Sequence, residues 1–176
     1  MNDLIRRDFD KLEKTKEQIL QYLRSQPSDR IALQPQGSWC MIQAMRHIQM
    51  SEDLSLQYML KKSKAGDDML QRQLKPRLLL QVLYVVFALG MKFKMPKVLT
   101  GPEITSLEEL ENDWNQTREK LKNFIEEYPE KWNNKAVYKH PFVGMLNLKD
   151  SVSFFNSHLN HHIIQVKRID KMLRKS

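Results

Sequence analysis

The sequence has little glycine, a single cysteine and no long run of β-branched residues. Only 5 glycines occur among 176 residues, while the helix formers Leu, Lys, Glu, Gln and Met are abundant. These features predict an all-α protein, and the length suits a single domain, 1–176, with its own core. Because Cys40 is the one cysteine, an internal disulfide is excluded, and we expect a reducing, cytoplasmic setting.

The sequence also lacks an apolar run long enough to span a membrane. Its most apolar stretch, LLLQVLYVVFALG (78–90), is shorter than the ~20 residues that a spanning helix needs, and it contains Gln81. We interpret this stretch as a buried helix or an oligomer contact and expect no membrane anchor. The charged N-terminal segment MNDLIRRDFDKLEK has no apolar centre, so it does not resemble a secretory signal.

Acidic residues are fewer than basic ones, and the net charge is +8. A nucleic acid or another anionic surface would suit that balance. However, the basic residues are spread from Arg6 to Arg168, and no recognisable nucleic-acid module contains them. A nucleic-acid partner is therefore the least favoured of the functions considered below.

Apolar residues at helical spacing predict five helices joined by short to medium connections. The first begins at Asn2 or Asp3, and the second runs from Trp39 to about Lys62. The third runs at least from Arg77 to Phe93. The fourth follows a capping box at Ser106 and Glu109, and the last runs from Leu148 to about Arg174. We expect Ser38 and Asn147 to cap the second and last helices, and Pro76 to lie in the first turn of the third. Such helices favour an antiparallel four-helix bundle with an additional apolar helix in the middle of the chain.

Two segments break the helical pattern. SQPSDRIALQPQG (25–37) contains two prolines and a glycine, and it is expected to connect the first two helices. Residues 128–146 form a long irregular stretch before the last helix, of the kind that is often functional. We expect Trp132, Tyr138 and Phe142 to anchor this stretch on the bundle.

Three of the five histidines lie in the segment SHLNHHIIQ (157–165) of the last helix. Because each residue turns a helix by about 100°, His162 falls inside the apolar stripe of this helix and His158 falls on its edge. His161 lies about 130° from the centre of that stripe, so it is expected to face solvent or a neighbouring subunit.

Histidines at positions i and i+4, such as His158 and His162, can converge on one cation. Zinc requires such nitrogens at ~2.0–2.1 Å and needs a third ligand. His47 is the natural third ligand, because the small residues Ala44 and Ser51 flank it on the second helix. The alternative is that each inward histidine is a hydrogen-bonded core residue. Cys40 lies two turns from His47, ~10 Å along the axis, and is interpreted as a small buried residue.

Other polar residues near these histidines have two interpretations each. His140, which precedes Pro141, makes either a loop hydrogen bond or a contact with substrate or a metal ligand. Gln165 either orients a ligand or makes a hydrogen bond within the bundle. Glu52 and Asp53 are candidate general bases, although solvated surface acids are the favoured interpretation of both.

Two stretches of the sequence resemble the DinB-like superfamily. GSWCMIQAMRHIQMSED has the family's tryptophan near a helix start and a histidine eight residues later, here Trp39 and His47. HPFVGMLNLKDSVSFFNSHLNHHIIQ is similar to the closing motif of the family, in which an HP-x-x-G-x-L loop leads into H-x-x-x-H and a following glutamine. The matching residues are His140, Pro141, Gly144, Leu146, His158, His162 and Gln165.

The resemblance implies an up-down-down-up four-helix bundle and a divalent metal ion, such as zinc or nickel, held by His47, His158 and His162. Members with known chemistry are mostly transferases of low-molecular-weight thiols or thiol-dependent isomerases, and others are described only as metal-dependent hydrolases. Homodimers are common among them.

Three functions follow from these observations. The first is a divalent-metal-dependent enzyme, a thiol transferase or hydrolase that acts on a small-molecule substrate. The second is a non-catalytic metal- or ligand-binding bundle associated with stress, and the third is a nucleic-acid partner. For the first, we predict an open site in which His140 does not bind the ion and water or an exogenous anion takes the remaining position.

Overall fold

Helices account for most of the chain in the computed structural model, which describes residues 3–89 and 101–174. In chain order the elements are α1 (Asp3–Arg24), α2 (Ser28–Ala32), α3 (Met41–Ser63), α4 (Leu74–Ala88), α5 (Leu107–Glu127), β1 (Tyr138–His140), β2 (Gly144–Leu146) and α6 (Leu148–Leu173). The four long helices α1, α3, α5 and α6 enclose one apolar core, and α4 packs on the outside of α6. The predicted all-α bundle with an extra middle helix is confirmed.

Ion pairs between α3 and α5 show that these two helices run parallel. Arg46 on α3 pairs with Asp113 on α5, and Glu52, further along α3, pairs with Arg118, further along α5. Because α3 and α5 follow each other in the four-helix core, the connection that contains α4 must return the chain to the same end of the bundle.

Helices α1 and α6 are also parallel. Asn156 donates a hydrogen bond to the Asp8 carbonyl near the beginning of both helices, at 2.8 Å. Near the end of both, the Tyr22 hydroxyl is hydrogen-bonded to the Asp170 carboxylate. Helices α1 and α5 are antiparallel, because Glu13 pairs with Arg118 whereas Arg24, further along α1, pairs with Glu111, earlier in α5. The core helices therefore run up-down-down-up, as expected.

Two predicted helix caps are confirmed. The Ser106 side chain accepts a hydrogen bond from the Glu109 backbone N–H at 3.0 Å, and the Asn147 side chain accepts one from the Asp150 N–H at 2.9 Å. Each bond satisfies one of the N–H groups that a helix start leaves without an intrahelical partner. These short-range patterns place the beginnings of α5 and α6.

The predicted start of the second helix is wrong by two residues. Helix α3 begins at Met41 with Cys40 as its N-cap, rather than after Ser38. The Gln43 side-chain oxygen accepts the Cys40 backbone N–H at 3.0 Å, and the Gln43 amide donates to the Pro102 carbonyl at 2.9 Å. A contact 59 residues away in sequence thus helps to set this helix start, which a local pattern cannot show.

The two segments expected to be irregular contain short elements. The five-residue helix α2 interrupts 25–37, and the hairpin of β1 and β2 lies within 128–146. Three-residue strands are too short to show a clear alternation of apolar and polar residues. Tyr138 is buried and Trp132 packs against the core, but Phe142 is largely exposed at the hairpin turn, so its predicted anchoring role is wrong.

Helix α4 begins at Leu74, in agreement with a helix predicted at least from Arg77, and Pro76 lies in its first turn as expected. The predicted continuation to Phe93 and most of the following loop lie outside the described residues. None of the described helices combines the length and the apolar character that crossing a bilayer would require.

Candidate metal centre

Three histidines from two helices meet inside the bundle. His47 on α3, and His158 and His162 on α6, each contribute one ring nitrogen, and the three nitrogens all lie within 4.8 Å of one another. The ring centroids are 4.9 to 5.4 Å apart. These three residues could hold a metal ion.

The position of the cluster follows from helix geometry. His158 and His162 lie one turn apart on the inward side of α6, and the antiparallel packing of α3 against α6 brings His47 opposite them. His47 and His162 are 7% and 8% exposed, and His158 is partly buried. The imidazoles are therefore largely withdrawn from water.

One ring nitrogen in the cluster has an unmet hydrogen-bonding capacity. Nδ1 of His158 is buried and has no hydrogen-bond partner among the described residues. A buried polar atom without a partner costs about 1–3 kcal/mol. A metal ion can accept the lone pair of such a nitrogen, so this atom is a feature of the structure that fits a metal.

Gln165 sets the protonation of the His162 ring. The Gln165 side-chain oxygen lies 2.7 Å from Nδ1 of His162. Because that oxygen can only accept, Nδ1 carries the proton and Nε2 is left with its lone pair. Metal-binding histidines generally have such a partner on the nitrogen that does not bind the metal.

Burial also keeps the three imidazoles neutral. Loss of hydration, followed by the nearby His161, lowers the pKa of His47 to about 4. Loss of hydration, followed by His47 and His161, lowers the pKa of His162 to about 3, and burial holds the pKa of His158 well below its ordinary value. At neutral pH the rings are therefore in the unprotonated form that binds metal ions.

Aromatic side chains surround the cluster. Trp39 lies 5.3 Å from His47 and stacks on His162 at 6.5 Å, measured between ring centroids. Phe87 and Phe154 stack on His158 at 5.8 and 5.2 Å.

Only one of these two phenylalanines could have been placed beside the histidines from the sequence alone. Phe154 precedes His158 by four residues and so shares its helix face. Phe87 comes from α4, and no local pattern relates it to the histidines. The aromatic rings limit contact with water and so strengthen electrostatic interactions within the site.

His161 does not face solvent as predicted. Its ring stacks on Phe87 at 4.6 Å between centroids, and its Nδ1 lies 3.4 Å from the Phe87 carbonyl oxygen. It lines a groove of about 310 Å³ between α1, α4 and α6 and is not one of the three clustered histidines. The helix phase was correct, but α4 covers the side of α6 that we expected to be open.

His140 holds the turn of the hairpin. It is buried, and its Nδ1 accepts hydrogen bonds from the backbone N–H groups of Phe142 and Val143 at 3.2 and 3.3 Å. Gly144 follows with φ +92°, a conformation that favours glycine. His140 and Gly144, two residues of the HP-x-x-G motif, thus stabilise the hairpin turn itself. The His140 ring lies 4.4 Å from Phe154, which in turn contacts His158, so His140 is a neighbour of the cluster and not a member.

The interpretation of Glu52 as a surface acid is wrong. Glu52 is 2% exposed and accepts hydrogen bonds from Arg118 at 2.7 and 2.8 Å and from the Trp114 indole at 2.7 Å. Its carboxylate is therefore engaged in a buried ion pair. Asp53 is only half-buried and accepts a hydrogen bond from Gln57 on the same helix.

Comparison with known proteins identifies one family. The model of the DinB superfamily matches residues 11–166, which include the three clustered histidines, Gln165 and His140. No curated protein and no solved structure matches the chain.

Proposed function

The chain belongs to the DinB superfamily, and we propose that it is a divalent-metal-dependent enzyme whose ion is held by His47, His158 and His162. The observation that carries this proposal is the convergence of three neutral imidazoles, two of them buried and the third half-buried. The half-buried ring, that of His158, has a buried nitrogen without a hydrogen-bond partner in the described part of the chain. Core histidines that serve only packing would be expected to find hydrogen-bond partners.

The donor set favours a catalytic ion over a structural one. Within the described residues, no fourth histidine, cysteine or acid joins the three histidines. Structural zinc sites have four protein ligands, whereas catalytic sites have three and leave a position for water or substrate. A bound divalent ion, zinc, nickel or similar, would supply Lewis acidity and lower the pKa of a water or thiol placed beside it.

The chain's own residues would position and shield this chemistry. The Gln165 side-chain oxygen accepts a hydrogen bond from the Nδ1–H group of His162 and so keeps Nε2 available to bind. Trp39 and Phe87 exclude water from two sides of the cluster. Glu52 has a structural role in this proposal, because Arg118 and Trp114 already occupy its carboxylate.

The reaction that we propose is transfer of a low-molecular-weight thiol to a small electrophile, or hydrolysis of a small substrate. Both reactions need an anionic nucleophile at neutral pH and can proceed without a carboxylate base. A cytoplasmic setting suits the thiol reaction, since small thiols stay reduced there.

Metal analysis with paired variants tests the proposal. Purified wild-type protein should contain close to one equivalent of divalent metal, and His162→Ala should lose it. His161→Ala is the matched control, because it removes the adjacent histidine, which stacks on Phe87 outside the cluster. Equal loss in both variants, or an absence of metal from wild-type protein reconstituted with zinc or nickel, would contradict the metal site.

A non-catalytic metal- or ligand-binding bundle is the second candidate. The enclosure of the cluster favours it, because two of the three ligands are less than a tenth exposed. Turnover separates the two functions: the metal-loaded protein should consume small thiols in the presence of an electrophile, and His162→Ala should not. Stoichiometric metal without turnover across a panel of thiols, electrophiles and esters would favour the second candidate.

A further inference from the structure

A groove of about 310 Å³ lies between α1 and α4 on the outer side of α6. Both α1 and α4 pack on α6, so α6 forms the floor of this α1–α4 groove and the other two helices form its walls. The floor residues fall within an arc of about 100°, whose centre lies about 180° from His162 on the same helix. They are Ser153, Asn156, Ser157, Asn160 and Ile164. The groove is therefore separate from the histidine cluster, and its volume is at the lower end of the range for small-molecule sites, about 300–1,000 Å³.

The two walls of the groove face one another across its floor. On the α1 side, Asn156 donates a hydrogen bond to the Asp8 carbonyl at 2.8 Å, and on the α4 side the Tyr84 hydroxyl donates one to the Ser153 hydroxyl at 3.0 Å. Burial raises the pKa of Tyr84 to about 12, with smaller contributions from the charges of Asp150 and Asp8. The Asp8 carboxylate is thus close enough to Tyr84 for its charge to act across the groove.

The α1 wall presents one acid and one base to the groove. Asp8 and Lys11 both line it, one turn apart on the helix. Among the described residues, neither side chain makes an ion pair, with the other or with a third residue. Side chains three residues apart on a helix have Cβ atoms about 5–6 Å apart. An α-amino acid carries its ammonium and carboxylate groups on one carbon atom, so a single such molecule can bind to both side chains.

An unmet acceptor and two aromatic rings favour an ammonium group near Asp8. Asn156 is 7% exposed, and its buried Oδ1 has no hydrogen-bond donor within the part of the chain that the structure describes. Buried acceptors generally have a donor, and the N–H groups of a ligand in the groove can supply one. Tyr84 and Phe87 line the opposite wall, and aromatic rings attract a cation placed over their faces.

The other end of the groove is apolar. Ile164 lies two turns after Asn156 along α6, and Ala88 comes next to Phe87 on α4. We propose that the α1–α4 groove binds a free α-amino acid with a small apolar side chain. The ammonium group contacts Asp8, the carboxylate contacts Lys11, and the side chain packs against Ile164.

This ligand site does not depend on the proposed metal ion or enzyme activity. The groove borders the cluster through Phe87, which lines the groove and stacks on His158. However, the groups that would hold the amino acid lie on α1 and on the outer side of α6. Binding to the groove should therefore be unchanged when a chelator removes any metal ion.

Isothermal titration calorimetry with L-alanine, L-valine and L-leucine is the first part of the test. At least one of the three should bind the wild-type protein with a dissociation constant of about 1 mM or tighter. For leucine, the matched analogues are 3-methylbutylamine, which lacks the carboxylate, and 4-methylpentanoate, which lacks the ammonium group. Each analogue should bind about 10-fold more weakly or less, because it loses one charge-assisted contact.

Paired charge variants locate the binding on α1. Asp8→Asn and Lys11→Gln should each raise the dissociation constant of the amino acid by about 10-fold or more. Asp10→Asn and Lys14→Gln are the matched controls, because both residues are exposed on the same helix and neither lines the groove. The two controls should bind the amino acid like the wild-type protein.

Protection from alkylation locates the binding on the floor of the groove. Ser157→Cys should react with iodoacetamide more slowly when the amino acid is present at saturating concentration. Cys40, the one native cysteine, is fully buried and should give little background. Leu33→Cys is the control, because Leu33 is 55% exposed at the end of α2, and its alkylation should not change with the amino acid.

Four results would overturn the proposal. The first is a wild-type protein that binds none of the three amino acids. The second is binding that Asp8→Asn and Lys11→Gln leave unchanged, or that leaves Ser157→Cys unprotected, since the ligand would then occupy another surface. The third is binding that disappears with the chelator, which would indicate coordination to a metal ion. The fourth is equal affinity for 3-methylbutylamine, which would assign the groove to simple amines.

Discussion

Acidification of the metal-free protein should destabilise it well before its carboxylates are protonated. His47 and His140 each have a pKa of about 4 in the folded protein, and His162 has a pKa of about 3, in each case mainly because burial removes water from the ring. In the unfolded chain these rings have the ordinary pKa of about 6.5. Between these limits the unfolded chain binds more protons than the folded protein, so the free energy of unfolding must fall as pH falls.

The size of the effect follows from the same pKa values. On going from pH 7 to pH 5, each of the three histidines should remove about 2 kcal/mol from the free energy of unfolding. Together they amount to about 6 kcal/mol, which is comparable with the whole stability of many domains, about 5–15 kcal/mol. His158, whose pKa is also held well below its ordinary value, adds to this loss.

Urea unfolding of chelator-treated protein, followed by circular dichroism at several pH values, measures this loss. His140→Gln is the matched variant: it should remove about a quarter of the pH dependence, since His158 also contributes, and leave the three clustered histidines in place. Zinc should restore stability, by about 2.7 kcal/mol at 100 times its dissociation constant, because it binds the folded form. A free energy of unfolding that is flat between pH 7 and pH 5 without metal would refute the argument, since it would mean that the rings are hydrated or already charged.

Three further predictions address the site and its support. Gln165→Ala should weaken zinc binding by about 10–100-fold, because the His162 ring loses the acceptor that fixes its tautomer; competition with a chromophoric chelator measures this, and an unchanged affinity would show that the contact is dispensable. Arg118→Met leaves the Glu52 carboxylate buried without its partner and should lower the free energy of unfolding by about 3–5 kcal/mol in urea titrations; a loss of less than about 1 kcal/mol would contradict the importance of the buried pair. The visible spectrum of the cobalt-substituted protein should change when a small thiol is added, and it should be unaltered by His140→Ala; a spectrum that is indifferent to thiol but sensitive to His140 would indicate a closed site.

Much of the fold could be predicted because it depends on local geometry. A helix turns by about 100° per residue whatever surrounds it, so the apolar stripes of α1, α5 and α6 can be traced along the chain. The caps at Ser106 and Asn147 are bonds between residues three apart and are equally local. The same geometry places His158 and His162 on the inward side of α6.

What the sequence could not decide is which element packs against each face. His161 has the predicted phase, yet α4 covers it, and Glu52 is buried because Arg118, 66 residues later, lies opposite. The convergence of His47 with the α6 pair likewise depends on the pairing of α3 with α6. Helix α4 is the reverse case, because the tertiary structure leaves exposed the apolar face that carries Leu78, Val82 and Val85. Sequence periodicity determines where a side chain points on its own helix, whereas its burial depends on contacts between residues distant along the chain, which only the tertiary structure decides.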